Sequence, residues 1–288
     1  MTAIYERELK SYAHGVAGYV FCAFLLLFAG IYTMVLNLRN GYSQFEYVLS
    51  NMTFIYLIAV PVLTMRSLAE ERRSKTDQLL YALPMNMTKI VLGKYLSMVT
   101  VLAVPTLIMA LYPLILGTFG TVNFKAAYGA LLGFFLLGAA LISVGLFLSS
   151  MTESQVVAAV GTLVVLLIEY FLSSLTGYLG TTAAASMVAF MILILIVSVI
   201  TALLTKNYIV AALVFIVGEG ALCAVAFTNS DLLAGSFPSI INALGLFTRY
   251  DTFVNGIFDL TAVVFFLSII GVFLFLTTQT MEKRRWSA

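Results

Sequence analysis

Long apolar runs dominate the pattern of hydrophobic and polar positions along this chain. About eight of them can be traced: Val16 to Leu36, Met52 to Met65, Leu96 to Leu116, Ala126 to Leu148, Val156 to Leu175, Met187 to Leu204, Tyr208 to Phe227 and Thr261 to Thr278. A helix crosses a bilayer with about 20 mostly apolar residues. The pattern therefore predicts an all-α integral membrane protein, a polytopic helical bundle of about eight transmembrane helices. The second run is short and carries Pro61 near its end; a start near Phe45 lengthens it and puts Glu46 at its outer rim. The first run is expected to be a retained span. It is longer than a signal-peptide core and follows the acidic residues Glu6 and Glu8.

Three segments between the runs have amphipathic patterns. In Thr2 to His14, Ile4, Tyr5, Leu9 and Tyr12 fall near one face of a helix, with Glu6, Arg7 and Lys10 on others. Such a segment either lies in the membrane interface or is a solvated lead-in. From Arg66 to Lys94 the chain carries a charged helix pattern ended by Pro84, with Leu79, Leu80 and Leu83 on one face. That apolar stripe needs a cover: the interface, the rest of the chain or a partner. From Leu246 to Phe258, apolar residues recur at helical spacing among Arg249, Asp251, Asn255 and Asp259. This reads as an amphipathic helix on the outer leaflet, either capping a path or anchoring the chain.

Charge sets the orientation. With the N-terminus inside, only Arg39, Lys125 and Arg249 of the 15 Lys and Arg residues fall outside. The excess of Lys and Arg on cytoplasmic loops predicts both termini in the cytoplasm of a multi-pass plasma or inner membrane protein. Composition agrees: 62% of residues are hydrophobic, 10% are charged, and the mean hydropathy is +1.06. A net charge of +2 gives no reason to expect nucleic acid. Cys22 and Cys223 sit in apolar runs and are expected as free thiols, and a lone His14 builds no multi-histidine metal site. Neither a metal nor a cofactor is expected in this chain.

The residues Ala69-Glu-Glu-Arg-Arg-Ser-Lys-Thr-Asp-Gln-Leu-Leu80, followed by Leu83-Pro84 and Ile90-Val-Leu-Gly-Lys94, resemble the first cytoplasmic loop of ABC-2 type permeases. Phe147 to Ala159 resembles the next cytoplasmic turn of that family, Phe253 to Leu260 its last external helix, and Glu282 to Trp286 its ending. Within the family the likeness is to the gliding-motility and nitrous-oxide-accessory type. The chain departs from the family at Lys75, commonly Gly, and at Gln78, commonly Glu. It also departs in span number: the usual core has six, and Met187 to Leu204 with Tyr208 to Phe227 would be an extra pair.

The resemblance implies one permease domain over residues 1–288, with an elbow helix at 1–15, a coupling-helix segment at 66–94 and an external segment at 228–260. Glu70, Glu71, Arg72 and Arg73 would make the polar contacts to a separate ABC ATPase, and Leu79, Leu80 and Leu83 the apolar ones. Two ATPases would bind ATP and magnesium. A second permease copy or a paralogue would complete the transporter, together with lipid and, in some relatives, an auxiliary extracytoplasmic protein. Export of a hydrophobic or amphipathic substrate is the expected function. The permease itself is expected to be non-catalytic. The nearest approach to a Walker A loop is Gly93-Lys94, but Thr88 replaces its first glycine and Tyr95 its Ser or Thr.

Two carboxylates, Glu169 and Glu219, fall inside apolar runs. A carboxylate at that depth faces protein or water and marks either a translocation path or an interhelical hydrogen bond. They also support an alternative reading, a secondary transporter coupled to ions; no inverted repeat or pair of broken helices accompanies it. Phe253, Ile257 and Asp259 are the candidates for an external gate. Gly129, Gly133, Gly138 and Gly145 form a small-residue stripe suited to close helix packing, within the subunit or across a dimer.

Overall fold

A computed structural model describes residues 1–76, 86–175, 180–205, 208–228 and 232–287. Every regular element among them is helical. In chain order the helices are α1 (Thr2–His14), α2 (Val16–Tyr32), α3 (Glu46–Thr64), α4 (Ala69–Arg73), α5 (Met87–Met109), α6 (Tyr112–Leu116), α7 (Phe124–Met151), α8 (Gln155–Leu175), α9 (Ala183–Thr205), α10 (Tyr208–Thr228), α11 (Ser236–Leu244), α12 (Leu246–Val254) and α13 (Leu260–Ser287). The end of α2 widens into a π-helical segment, Thr33–Arg39.

Six helical stretches among the described residues are long and apolar enough to cross a membrane: Val16–Arg39, Glu46–Arg73, Met87–Leu116, Phe124–Met151, Tyr208–Thr228 and Leu260–Arg285. The helices α8 and α9 are apolar over Gln155–Phe171 and Ala183–Val199. All eight expected runs are thus helical, and six of them are long and apolar enough over their described residues to cross a membrane.

The chain divides into two compact units, Met1–Glu169 with Arg249–Ala288, and Tyr170–Thr248. In the smaller unit α9 and α10 pair, and α11 packs on α9. Gly218 of α10 lies against Ile194 of α9, where a β-carbon would meet the isoleucine methyl at 2.9 Å.

The larger unit is built around α7, which packs against α3, α5 and α13. Lipid tails are as apolar as leucine, so helices in a bilayer gain from tight packing and hydrogen bonds, not from hiding apolar surface. The glycines of α7 supply that packing. Tyr56 and Leu102 close on Gly138, Thr64 closes on Gly145, and Phe253 lies on Gly133. Three of the four glycines in the stripe therefore serve contacts within the subunit, while Gly129 faces open space. Tyrosine hydroxyls tie α7 further: Tyr56 donates to the Phe134 carbonyl at 3.1 Å and Tyr95 to the Ala139 carbonyl at 3.2 Å. The Tyr56 ring also stacks on Phe134, with centroids 4.4 Å apart.

Burial separates core from periphery. The most apolar parts of α3 and α7 are 67% and 72% buried, those of the α2 and α13 spans 17% each. Leu27, Met34 and Leu38 of the α2 span and Leu267 and Phe275 of α13 are largely exposed. A chain solvated by lipid leaves such side chains on its outside.

Candidate functional site

One end of the larger unit collects the charged segments. There α1 packs on α5 and α2, and α4 sits beside α7. The apolar face of α1 is occupied by protein: Ile4 and Tyr12 are buried. The Tyr12 hydroxyl donates to the Leu63 carbonyl at 3.3 Å, and Tyr5 is hydrogen-bonded to Thr100 at 3.0 Å. The amphipathic pattern read at the N-terminus is thus used largely for docking onto the bundle.

The docked helix brings two charges to a buried lysine. Lys94, about two turns inside α5, is 1% exposed. Its Nζ lies 2.8 Å from Glu71 and 3.0 Å from Glu8, and it donates to the Ser67 carbonyl at 3.0 Å. Three ammonium protons thus meet three acceptors, the condition under which a buried charge is tolerated. Arg7 closes the ring from solvent, 2.8 Å from Glu8 and 2.9 Å from Glu71. Burial pushes the Glu8 carboxyl up, but the charge of Lys94 and the hydrogen bonds from Arg7 and Lys94 outweigh it and hold Glu8 below its ordinary 4.5. Beside this ring opens a cleft of about 860 Å³, lined in part by Arg7, Glu8, Arg66, Glu70, Glu71 and Lys94.

The helix α4 is held in place from α7. Ser149 is fully buried. Its Oγ accepts from the backbone N–H groups of Leu68 and Ala69 at 3.2 Å each and donates to the Met65 carbonyl at 3.4 Å. It thus satisfies groups left over where α3 stops and α4 begins. At the same end, Arg284 of α13 donates to the Met151 carbonyl of α7 at 3.0 Å.

Of the expected helix from Arg66 to Leu83, residues 77–83 lie outside the described residues, and the described part holds a short helix. It spans Ala69–Arg73 and ends in a Schellman turn. The Thr76 N–H reaches the Glu71 carbonyl at 2.9 Å, and the Lys75 N–H reaches the Arg72 carbonyl at 3.0 Å. Lys75 has φ +56°. That left-handed conformation is one that glycine adopts without steric cost.

Of the residues expected to face a partner, Glu70 is half-exposed and pairs with Arg66 at 3.0 Å, and Arg73 is exposed. Glu71 belongs to the lysine ring and Arg72 is buried. Leu79, Leu80 and Leu83 lie outside the described residues.

The opposite end of the larger unit holds the gate candidates. The helix expected through Phe258 stops at Val254. Gly256, at φ +76°, closes a second Schellman turn, with Ile257 N–H on the Thr252 carbonyl at 3.1 Å. Phe253 is 1% exposed and packs on Gly133, while Ile257 is 62% exposed in the following loop. Asp259 accepts from the Thr261 N–H at 2.8 Å at the start of α13, and that hydrogen bond lowers its carboxyl pKa. The three residues therefore occupy three different settings: core, loop and helix cap.

Glu169 is half-buried on α8, the last residue of its stretch of the larger unit. Glu219 is half-buried on α10, in the smaller unit. Cys22 and Cys223 are free thiols. Among the described residues no three His, Cys, Asp or Glu side chains gather as a metal site.

Sequence reading missed the roles of Lys94, Glu8 and Ser149. One signal existed for the first. Lys94 is the last charge before Lys125 in an otherwise apolar stretch, and a cation there requires an acidic partner. Several acids in the two flanking segments could have supplied it. Ser149 carries no signal beyond its polarity at the end of an apolar run.

No curated protein matches the chain. Residues 30–215, about two thirds of it, match the family described as ABC-2 family transporter protein. That match takes in α3, the α4 junction, α5, the whole of the central helix α7 and the turn after it, and on this ground the chain belongs to the ABC-2 transporter family, as a multi-pass membrane permease.

Proposed function

We propose that this permease exports a hydrophobic or amphipathic substrate and is driven by a separate ABC ATPase seated on the α4 segment. The observation that carries the reading is the construction of that segment. A five-residue helix is fixed at its start by Ser149 and on its inner side by the Lys94 ring, while Glu70, Arg73, Ser74, Lys75 and Thr76 remain at the surface. Such an element can take a push from outside without losing its place on the bundle. Membership of the ABC-2 family supports the pairing with an ATPase.

In this reading the charged end and both termini are cytoplasmic, as the distribution of Lys and Arg favours. The ATPase groove takes Glu70 and Arg73 as polar contacts, with Leu79, Leu80 and Leu83 as apolar ones. Glu71 and Arg72 hold the segment from within. The transporter contains two ATPases and two permeases, and α1 is the elbow helix. The full span count is eight, with α9 and α10 as the pair added to a six-span core. The gliding-motility and nitrous-oxide-accessory type remains the subfamily proposed, with an auxiliary extracytoplasmic protein as an optional partner. Family membership favours this reading over ion coupling through Glu169 and Glu219, for which no comparable support exists.

Co-purification with the candidate ATPase tests it. A chain with Glu70→Arg, Arg73→Glu, Leu79→Asp and Leu80→Asp should insert normally and lose most of the bound ATPase. Undiminished binding by that variant, or no binding by the wild type, would sink the proposal. Glu71 is unsuitable for this test because its replacement breaks the lysine ring.

A further inference from the structure

A push on α4 has to reach the far side of the membrane, and the hydrogen bonds at Ser149 are where it can enter α7. The Lys94 ring, on α1 and α5, and Ser149, on α7, both tie the α4 segment to the larger unit. The ring is partly solvent-facing, since Arg7 is 56% exposed. The Ser149 contact is fully buried, and it grips backbone rather than flexible side chains. It engages both sides of the α3–α4 break: the Met65 carbonyl before it and the Leu68 and Ala69 amides after it.

From Ser149, α7 runs unbroken to its other end, and Gly133 lies 16 residues away, about 24 Å along the helix axis. There Phe253 of α12 lies directly on Gly133, and Tyr250 meets the Phe134 ring edge-on at 6.4 Å. Tyr56 and Tyr95 brace the helix between the two ends. One rigid element thus touches the partner-facing segment at one end and the amphipathic helix at the other.

Resting on the coupling reading above, we infer that Ser149 is a positioning residue for energy coupling: its Oγ fastens α4 to α7, so that movement of α4 is delivered through α7 to α12. Because the Lys94 ring still holds α4 on its inner side, the hydroxyl is not needed for ATP binding, for hydrolysis or for docking of the ATPase. It is needed for that docking to be felt across the membrane.

The test uses the full permease–ATPase complex in lipid nanodiscs. A reporter cysteine replaces exposed Asn255, just after α12, in a chain with Cys22→Ala and Cys223→Ala. Its reaction with a membrane-impermeant maleimide is followed with and without ATP and vanadate. In the otherwise unaltered chain, nucleotide should change the labelling rate by about fivefold or more, the lower range of ordinary site-to-site coupling. Ser149→Ala should bind the same amount of ATPase and hydrolyse ATP, yet reduce that change to less than about twofold. Ser149→Thr, which keeps the Oγ, should restore it. A purely structural role would instead lower ATPase binding and labelling response together. Should Ser149→Ala fail to insert, Ser149→Cys has nearly the same shape with a weaker acceptor and carries the same expectation. A full nucleotide response in the Ala or Cys variant overturns the inference, as does no response in the unaltered chain despite bound ATPase. Absence of bound ATPase in the unaltered chain is a different result: the coupling reading itself then fails.

Discussion

Lys94 shows how much a single buried cation organises. It gathers a carboxylate from α1, a carboxylate from α4 and a backbone carbonyl from the α3–α4 break. Removing it leaves Glu8 and Glu71 facing each other, with Arg7, itself 56% exposed, bridging them. Breaking a buried ion pair from one side costs about 3–5 kcal/mol. Lys94→Met should therefore lower stability in detergent by roughly that amount, read from chemical denaturation. The effect has a defined pH dependence. Glu8 is held below its ordinary 4.5, so its share of stability is present above that pH and is lost as pH falls through its lower folded value. The gap between wild type and Lys94→Met should accordingly narrow below pH 4.5. A gap that stays constant into acid would show that the ionised Glu8 carboxylate is not the source of that stabilisation.

At the scale of elements, two short helices end in the same way with different residues. α12 closes with Gly256 and α4 with Lys75, both in left-handed backbone. A side chain in that conformation costs roughly 1–2 kcal/mol relative to glycine. Lys75→Gly should thus be neutral or stabilise the chain by about 1 kcal/mol, with the larger flexibility of an unfolded glycine working against it. A thermal unfolding series in detergent measures the difference, and a clear loss of stability would mean that the lysine side chain makes a contact worth more than the strain. The amphipathic segments carry a second lesson about elements. Helical spacing continued past Val254 to Ile257 and Phe258, yet the helix stops because Gly256 completes its terminal hydrogen bonds. The periodicity of apolar residues survived the break because Phe258 folds back edge-on to Phe253, with ring centroids 5.9 Å apart.

For the whole molecule, the distribution of charge makes the orientation testable. The Lys94 ring, α4 and the basic end of α13 share one end of the larger unit. The positive-inside rule assigns that end to the cytoplasm. Cysteines placed singly at Arg73 and at Asn255 should react with impermeant reagent from opposite sides of sealed vesicles, Asn255 from outside. Labelling of both from the same side would contradict the topology, and with it the placement of the ATPase.

Composition and pattern along the chain are enough to show that lipid is the solvent, where the long helices run and which end is basic. Each follows from local composition: an apolar run of sufficient length must form a helix in hydrocarbon because no water is present to satisfy its backbone. The same pattern also points to the family and marks the loop after α3, through the acids and bases of residues 70–73. Which of those charges look inward is set by packing between distant segments. Glu71 and Glu70 are adjacent in sequence, yet Lys94, 23 positions later, claims one and leaves the other to Arg66. The choice depends on the register of α1, α4 and α5 against one another, and no local pattern encodes that register. The same holds for Ser149, a small polar residue among many, which becomes a fastening because chain packing brings the α3–α4 break within reach of its hydroxyl.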